Sequence, residues 1–320
     1  MRAIRHDGQR VWLDMGAAVP APASGWVLLK PIRVAVGRAE AAIARSSVVR
    51  PAHAPITLGA EFVAEVVGGG AGVEAGLRGK RVVGSPEIVC GVCEFCRGGL
   101  SGHCRERRVL GMTIDGCMAD AFAYPVRNLM EVPASVHDDD AAFAWSVSRA
   151  LRVAQVVGAE GKRFVTIIGD SCDAMLAGQA LARTSSAVRI AGEDADRLAR
   201  CERWGIKHRA IADAGRRGDQ DAVVETLGSA AGLHLALEMV RPRGVVVLAA
   251  PTMDATLLAA AHEKEVSLVG VRGGSIPEAL AALGRRTIDA AGLITRRYRL
   301  AEGIEAFGAA RTELAVVIDP

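Results

Sequence analysis

Aromatic residues are scarce in this chain, at 4% of 320 residues with only two tyrosines. Charge of one sign is scarce as well: the net charge is +3, with acids and bases interspersed. A nucleic-acid partner normally requires a basic stripe, so none is expected. No apolar run approaches the length of a membrane span, so no membrane partner is expected either. The opening residues, Met1-Arg-Ala-Ile-Arg-His-Asp-Gly8, carry no apolar signal region, which makes the cytoplasm the expected location. A disulfide framework is also lacking: the seven cysteines are odd in number, and four of them crowd into fifteen residues.

What is there in quantity is Ala, Val and Gly, which suits tightly packed α/β layers. Half of the residues are hydrophobic and 23% are charged, a globular composition long enough for two domains with separate cores. Up to about residue 134, short strand-like runs at 27–36, 62–67 and 80–83 are punctuated by Gly and Pro. They predict a barrel-like β domain. Asp138-Asp-Asp140 marks a helix start, because acids favour a helix N-terminus, and the helix is expected to run to Gln155. Beyond it strands and helices alternate, with strands at 164–168, 187–191, 245–250 and 266–270 and helices at 174–183 and 194–204. That alternation implies a parallel, doubly wound sheet. A last strand at 314–318 is expected to return to the first domain. The predicted class is α/β, with one domain from residues 1–134 and 290–320 and the other from 135–289.

The cysteines at 90, 93, 96 and 104 follow the pattern Cys-x2-Cys-x2-Cys-x7-Cys within a lobe of residues 88–106. Zinc in structural sites prefers a closed tetrahedron of thiolates. Short intervals let one compact loop wrap one ion, and Gly91, Gly98, Gly99 and Gly102 permit the bends. Four unrelated buried cysteines are improbable at this density, and iron is a minor alternative. Cys90, Cys93, Cys96 and Cys104 are therefore the expected ligands of one structural zinc ion.

This lobe resembles the structural-zinc lobe of medium-chain, zinc-type alcohol dehydrogenases of the threonine and sorbitol dehydrogenase kind. Neighbouring text agrees over nearly the whole chain. Gly59-Ala-Glu-Phe-Val-Ala-Glu-Val resembles the family's Gly-His-Glu segment, and Asp115–Tyr124, Arg127–Pro133, 241–248 and 264–274 resemble its later stretches. The resemblance implies a GroES-like β-barrel domain joined to a Rossmann domain. It also implies a homo-oligomer, expected as a dimer joined edge to edge along 266–271, and a small-molecule substrate.

At the positions matching the family's catalytic-zinc ligands stand Val36, Ala60 and Trp145, so no catalytic zinc is expected. Arg38 takes the place of the proton-relay hydroxyl, and Glu61 survives from the motif, where a structural carboxylate is its blander role. Some zinc-free relatives similar to quinone reductases polarise a carbonyl with hydrogen-bond donors. Arg38 and Tyr124 are the candidates here, although such an Arg is more often a solvated charge and such a Tyr a packed strand residue.

The family's Gly-x-Gly-x-x-Gly turn is altered to Gly169-Asp-Ser-Cys-Asp-Ala174. Gly169 remains, while Ser171 and Ala174 replace the glycines that admit the pyrophosphate and pack the helix. Asp170 and Asp173 put negative charge where a diphosphate meets a helix N-terminus, or else cap that helix; the two readings are equally open. Gly192 stands where relatives offer an acid to the ribose, with Glu193 as a substitute and Arg197 as a basic neighbour. Gly270 and Arg272 complete the cofactor positions that the resemblance implies. NAD(H) and NADP(H) are not separated. Cys172 is either a reactive thiol near a helix N-terminus or a packing residue. Cys117 and Cys201 are expected to be buried, and His53, His137 and His234 have no matched partner. Two functions follow: an NAD(P)(H)-dependent oxidoreductase acting on a small alcohol or carbonyl without catalytic zinc, or a non-catalytic relative with a binding or structural role.

Overall fold

The computed structural model describes residues 1–37, 55–159, 161, 164–184, 187–251 and 258–320. The chain divides into two compact units, one of Met1–Trp145 with Ala290–Pro320 and one of Ser146–Asp289.

The first unit is built on antiparallel strands. Its spine is the strand Trp26–Val36, which pairs with Glu61–Gly69 on one side. On its other side it pairs with Phe122–Pro125 and with the C-terminal strand Val316–Asp319. The chain's last strand thus closes onto an early one, and Arg296–Arg299 runs parallel beside it. Residues pointing inward alternate along these strands and bury Val27, Leu29, Val34, Phe62, Val66, Phe122 and Ile318 in one core. Phe62 meets Phe122 and Tyr124 edge-on at ring-centroid distances of 4.8 and 5.4 Å, so the few aromatics of this chain are concentrated here.

The second unit is a six-stranded, all-parallel sheet whose strands we number β1 (Phe164–Ile168), β2 (Ala187–Gly192), β3 (Lys207–Ala210), β4 (Gln220–Glu225), β5 (Val240–Leu248) and β6 (Ser267–Gly270). Their order, β3-β2-β1-β4-β5-β6, reverses direction between β1 and β4, the arrangement of a doubly wound sheet. The helix Cys172–Leu181 is buried over every position from Ala174 to Leu181. Its alanines and Gly178 keep the backbone close to the sheet; a Cβ at Gly178 would come within 2.8 Å of Ile190 Cδ1. The abundance of small residues is therefore a packing requirement.

The helix expected from Asp138 to Gln155 forms in two pieces, Asp138–Ala141 and Ala144–Ala159. Asp140 Oδ1 accepts the N–H groups of Ala290 and Ala291 at 3.1 and 2.8 Å, which anchors the first piece locally. Strands β3 and β4 were not anticipated from the sequence. Among the described residues no helix is long and apolar enough to cross a membrane.

Candidate functional site

The cysteine lobe hangs between the short paired strands Glu87–Ile88 and Arg108–Val109. A single turn of helix, Glu94–Arg97, and the turn Ser101–His103 bring its ends together, and Gly91 and Gly99 take the left-handed conformations the bends require. The ligand atoms of Cys90, Cys93, Cys96 and Cys104 all lie within 4.8 Å of one another, and the Cys90 and Cys96 sulfurs are 4.0 Å apart. Four thiolates around one zinc at about 2.3 Å stand about 3.8 Å apart, so the lobe needs only a small contraction to match that tetrahedron. Backbone N–H groups already point at sulfur: Cys93 donates to Cys90 and Cys90 donates to Cys104, each at 3.4 Å. Such bonds from Val92 and Cys93 lower the Cys90 thiol to about 6, whereas burial pushes the Cys96 thiol up. A divalent cation is what lets all four ionise together. The cluster is typical of structural zinc, and it is the one convergence of three or more His, Cys, Asp or Glu side chains among the described residues.

The positions matched to a catalytic zinc lie elsewhere in the same unit. Val36 is 4% exposed and pairs with Val316 in the sheet, and Ala60 and Trp145 are half-buried. Glu61 begins its strand opposite Ala35. Tyr124 is fully buried in the core, and its hydroxyl donates to the Ser85 carbonyl at 2.7 Å. Burial drives its ionisation far above the ordinary phenol range. Arg38 and His53 lie outside the described residues. His137 precedes the helix Asp138–Ala141 without capping it through its side chain, and exposed His234 faces Glu238 at 3.5 Å.

In the second unit the altered turn follows β1 directly. Gly169 has φ +116°, which only glycine adopts without strain. Ser171, not either acid, caps the helix Cys172–Leu181 by accepting from the Ala174 N–H at 3.4 Å. Ala174 itself is fully buried. The two acids are engaged separately. Asp173, in the helix's first turn, pairs with Arg149 at 3.2 Å. Asp170 reaches the end of β2, where its Oδ2 accepts from the N–H groups of Glu193 and Asp194 at 2.7 and 2.9 Å. Its Oδ1 meets Arg197 Nη1 at 3.1 Å. Burial raises the Asp170 carboxyl, but the two N–H groups and the Arg197 charge outweigh it and hold the group below the ordinary carboxylate range.

Of the other sequence candidates, Gly169, Ser171, Ala174 and Arg197 gather around the turn, and Glu193 projects to solvent beside it. Gly270 ends β6 and Arg272 follows, both exposed. Cys117 and Cys201 are fully buried, Cys201 lying 3.5 Å from the Met175 sulfur. Arg149 was not anticipated: it lies 24 residues before Asp173, a separation without a sequence signal.

Residues 23–134 match the family described as the alcohol dehydrogenase GroES-like domain. Over 288 residues the chain is 26% identical to a sorbitol dehydrogenase from Halalkalibacterium halodurans, with 84% of each chain covered. It is 28% identical over 282 residues to an L-threonine 3-dehydrogenase from Chelativorans sp., covering 83% of this chain and 82% of that one. A solved short chain alcohol dehydrogenase from E. coli CFT073, complexed with NADH, matches with a TM-score of 0.85 at 20% identity, covering 100% of this chain and 99% of that one. At that identity the likeness is one of fold.

Proposed function

We propose that the chain is a member of the medium-chain, zinc-type alcohol dehydrogenase superfamily and an oxidoreductase acting on a small alcohol or carbonyl compound with NAD(H) or NADP(H), without a catalytic zinc ion. One observation carries the reading. Four cysteine sulfurs converge in the lobe, while the three positions matched to catalytic-zinc ligands hold Val36, Ala60 and Trp145, whose side chains offer zinc no donor.

Cys90, Cys93, Cys96 and Cys104 hold the structural ion, which fixes the lobe's fold. Thiolate ligands of this kind persist in a reducing compartment, which supports a cytoplasmic location. A nicotinamide dinucleotide, when bound, supplies or accepts the hydride. The residues after β1 fit such a group: Gly169 makes the tight turn, Ser171 starts the helix, and ion pairs with Arg197 and Arg149 offset the charges of Asp170 and Asp173. Gly270 and Arg272 contribute from the end of β6.

Without zinc, a carbonyl oxygen is polarised by a hydrogen-bond donor. We assign that part to Arg38, at the position of the family's relay hydroxyl, with Glu61 as the carboxylate retained from the motif. Tyr124 is set aside, because its hydroxyl is committed to Ser85 inside the core.

The test joins metal analysis to turnover. Purified protein is expected to hold about one zinc per chain and to oxidise NADH or NADPH with some member of a broad carbonyl panel. Two zinc ions per chain would remove the zinc-free premise. One zinc with neither dinucleotide binding nor turnover would leave the non-catalytic relative as the better description.

A further inference from the structure

Asp170 follows the first glycine of the turn, yet its carboxylate serves the neighbouring strand. Two consecutive backbone N–H groups, from Glu193 and Asp194, converge on one of its oxygens, and Arg197 holds the other. Two N–H groups and a guanidinium make a receptor for an anion. Here the chain fills that receptor itself, with side chains only 12% and 11% exposed for Arg197 and Asp170.

Gly192 is the residue that admits this arrangement. A Cβ there would stand 2.6 Å from Asp170 Cβ and 2.8 Å from Asp170 Oδ2. Where relatives offer an acid this chain has Gly192, and a carboxylate from residue 170 lies against that position.

We infer that Asp170 decides between the two dinucleotides, accepting the 2′-hydroxyl of NAD(H) and refusing the 2′-phosphate of NADP(H). The inference rests on the dinucleotide reading proposed above. In a doubly wound sheet, the end of the second strand meets the adenosine ribose. An ionised carboxylate has about four acceptor sites, and among the described residues three are used, by Glu193, Asp194 and Arg197. One remains for a hydroxyl donor. A phosphate monoester, with a charge of about −1.5 to −2 at neutral pH, is mostly without a proton to offer there and approaches the Asp170 carboxylate as a like charge. It also finds the receptor's cation and N–H groups already engaged. Arg197 alone would suit a phosphate; paired with Asp170 it does not. The lowered Asp170 carboxyl agrees with an ionised group at neutral pH.

Calorimetry on the zinc-loaded full chain tests this, using NADH, NADPH, 5′-ADP and 2′,5′-ADP as probes. The fragments report on the ribose end without any turnover. Wild type is expected to bind NADH at least about tenfold tighter than NADPH, and 5′-ADP tighter than 2′,5′-ADP, because like charges in one desolvated site are strongly disfavoured. Asp170→Asn, which keeps the shape and removes the charge, is expected to narrow or invert that ratio by about tenfold or more. Asp170→Ala serves as a second variant that opens the receptor, and circular dichroism checks the fold of both. A wild-type preference for NADPH, or folded variants that keep the wild-type ratio, overturns the assignment and leaves the dinucleotide reading intact. Failure of wild type and both folded variants to bind any of the four probes overturns the dinucleotide reading itself, and the assignment with it.

Discussion

Arg149 holds Asp173 at 3.2 Å through one nitrogen and donates to the Ala249 carbonyl at 2.9 Å through another. The guanidinium thus fixes the charge balance in the first turn of the helix Cys172–Leu181. Both side chains are partly exposed, 25% and 42%, so the pair adds little to stability, within about 1 kcal/mol. Under the dinucleotide reading proposed above, its effect falls on anion binding. Arg149→Met leaves the Asp173 charge uncompensated beside the diphosphate position, and dinucleotide affinity is expected to fall severalfold. Asp173→Asn in the same background should restore it. The deficit should shrink as salt rises, because exposed charges are screened over about 8 Å at physiological ionic strength. An Arg149→Met variant that binds as wild type at low salt would show that the pair plays no part.

The lobe gives the second prediction. Cys93→Ser removes one thiolate from a closed set of four. Loss of a ligand is expected to weaken zinc binding by more than the roughly 10–100-fold that loss of an outer partner costs. Metal content after dialysis should drop well below one per chain, and the thermal transition should move down. X-ray absorption on wild type should report four sulfurs at about 2.3 Å. Nitrogen or oxygen in that shell would mean that the four sulfurs do not all serve.

These sites differ in how far the sequence discloses them, for physical reasons. The cysteine lobe is local: four ligands within fifteen residues have few ways to lie other than around one point. Strand β1 is legible as a largely apolar run, buried from Val165 to Ile168, and β2 as a run of Ala, Val and Ile interrupted only by half-buried Arg189. Strand β3, Lys207-His-Arg-Ala210, is a polar edge strand with no apolar pattern to find. Strand β4 is masked by acids at its ends. Asp221 is only 7% exposed because it accepts from the Phe164 N–H and pairs with Arg241, and Glu225 is fully buried, accepting from Leu227 and Gly228 N–H groups. Asp170 was legible as an acid in an unusual place, but its destination was not. Its partners lie 23 to 27 residues onward and become reachable through the missing side chain of Gly192.

His6 supplies a pH prediction. It lies in the strand Ala3–His6, is 2% exposed, and its Nδ1 has no hydrogen-bond partner among the described residues. Burial lowers its pKa from 6.5, opposed by the nearby Asp7 charge. The folded chain therefore binds its proton less readily than the unfolded one. Stability linked to His6 is full above the unfolded value of about 6.5 and is lost as pH falls through the folded value. Urea unfolding at pH 8, 7, 6 and 5 should show wild type losing stability relative to His6→Asn as pH drops. Parallel curves for the two proteins would place His6 outside the acid response.

The last prediction concerns assembly. Strand β6, Ser267–Gly270, ends the sheet of the second unit and pairs with β5 on one side. Its sequence, Ser-Leu-Val-Gly, contains no Lys, no Pro and no inward charge, the devices by which an edge is kept from pairing with another chain. Leu268 and Val269 are half-buried on opposite faces, so neither face repels a second copy. Edge-to-edge pairing of two copies satisfies the open N–H and C=O groups of both strands and continues the sheet across a twofold axis. A homodimer, or a larger even-numbered oligomer, is expected in light scattering at micromolar concentration. Leu268→Lys and Val269→Lys place a charge and its symmetry mate in that seam, one variant for each face, and like charges so placed cost several kcal/mol. Each variant should sediment as a monomer with an unchanged circular dichroism spectrum. Wild-type protein that is monomeric under these conditions, or lysine variants that keep the wild-type mass, would put the contact on another surface.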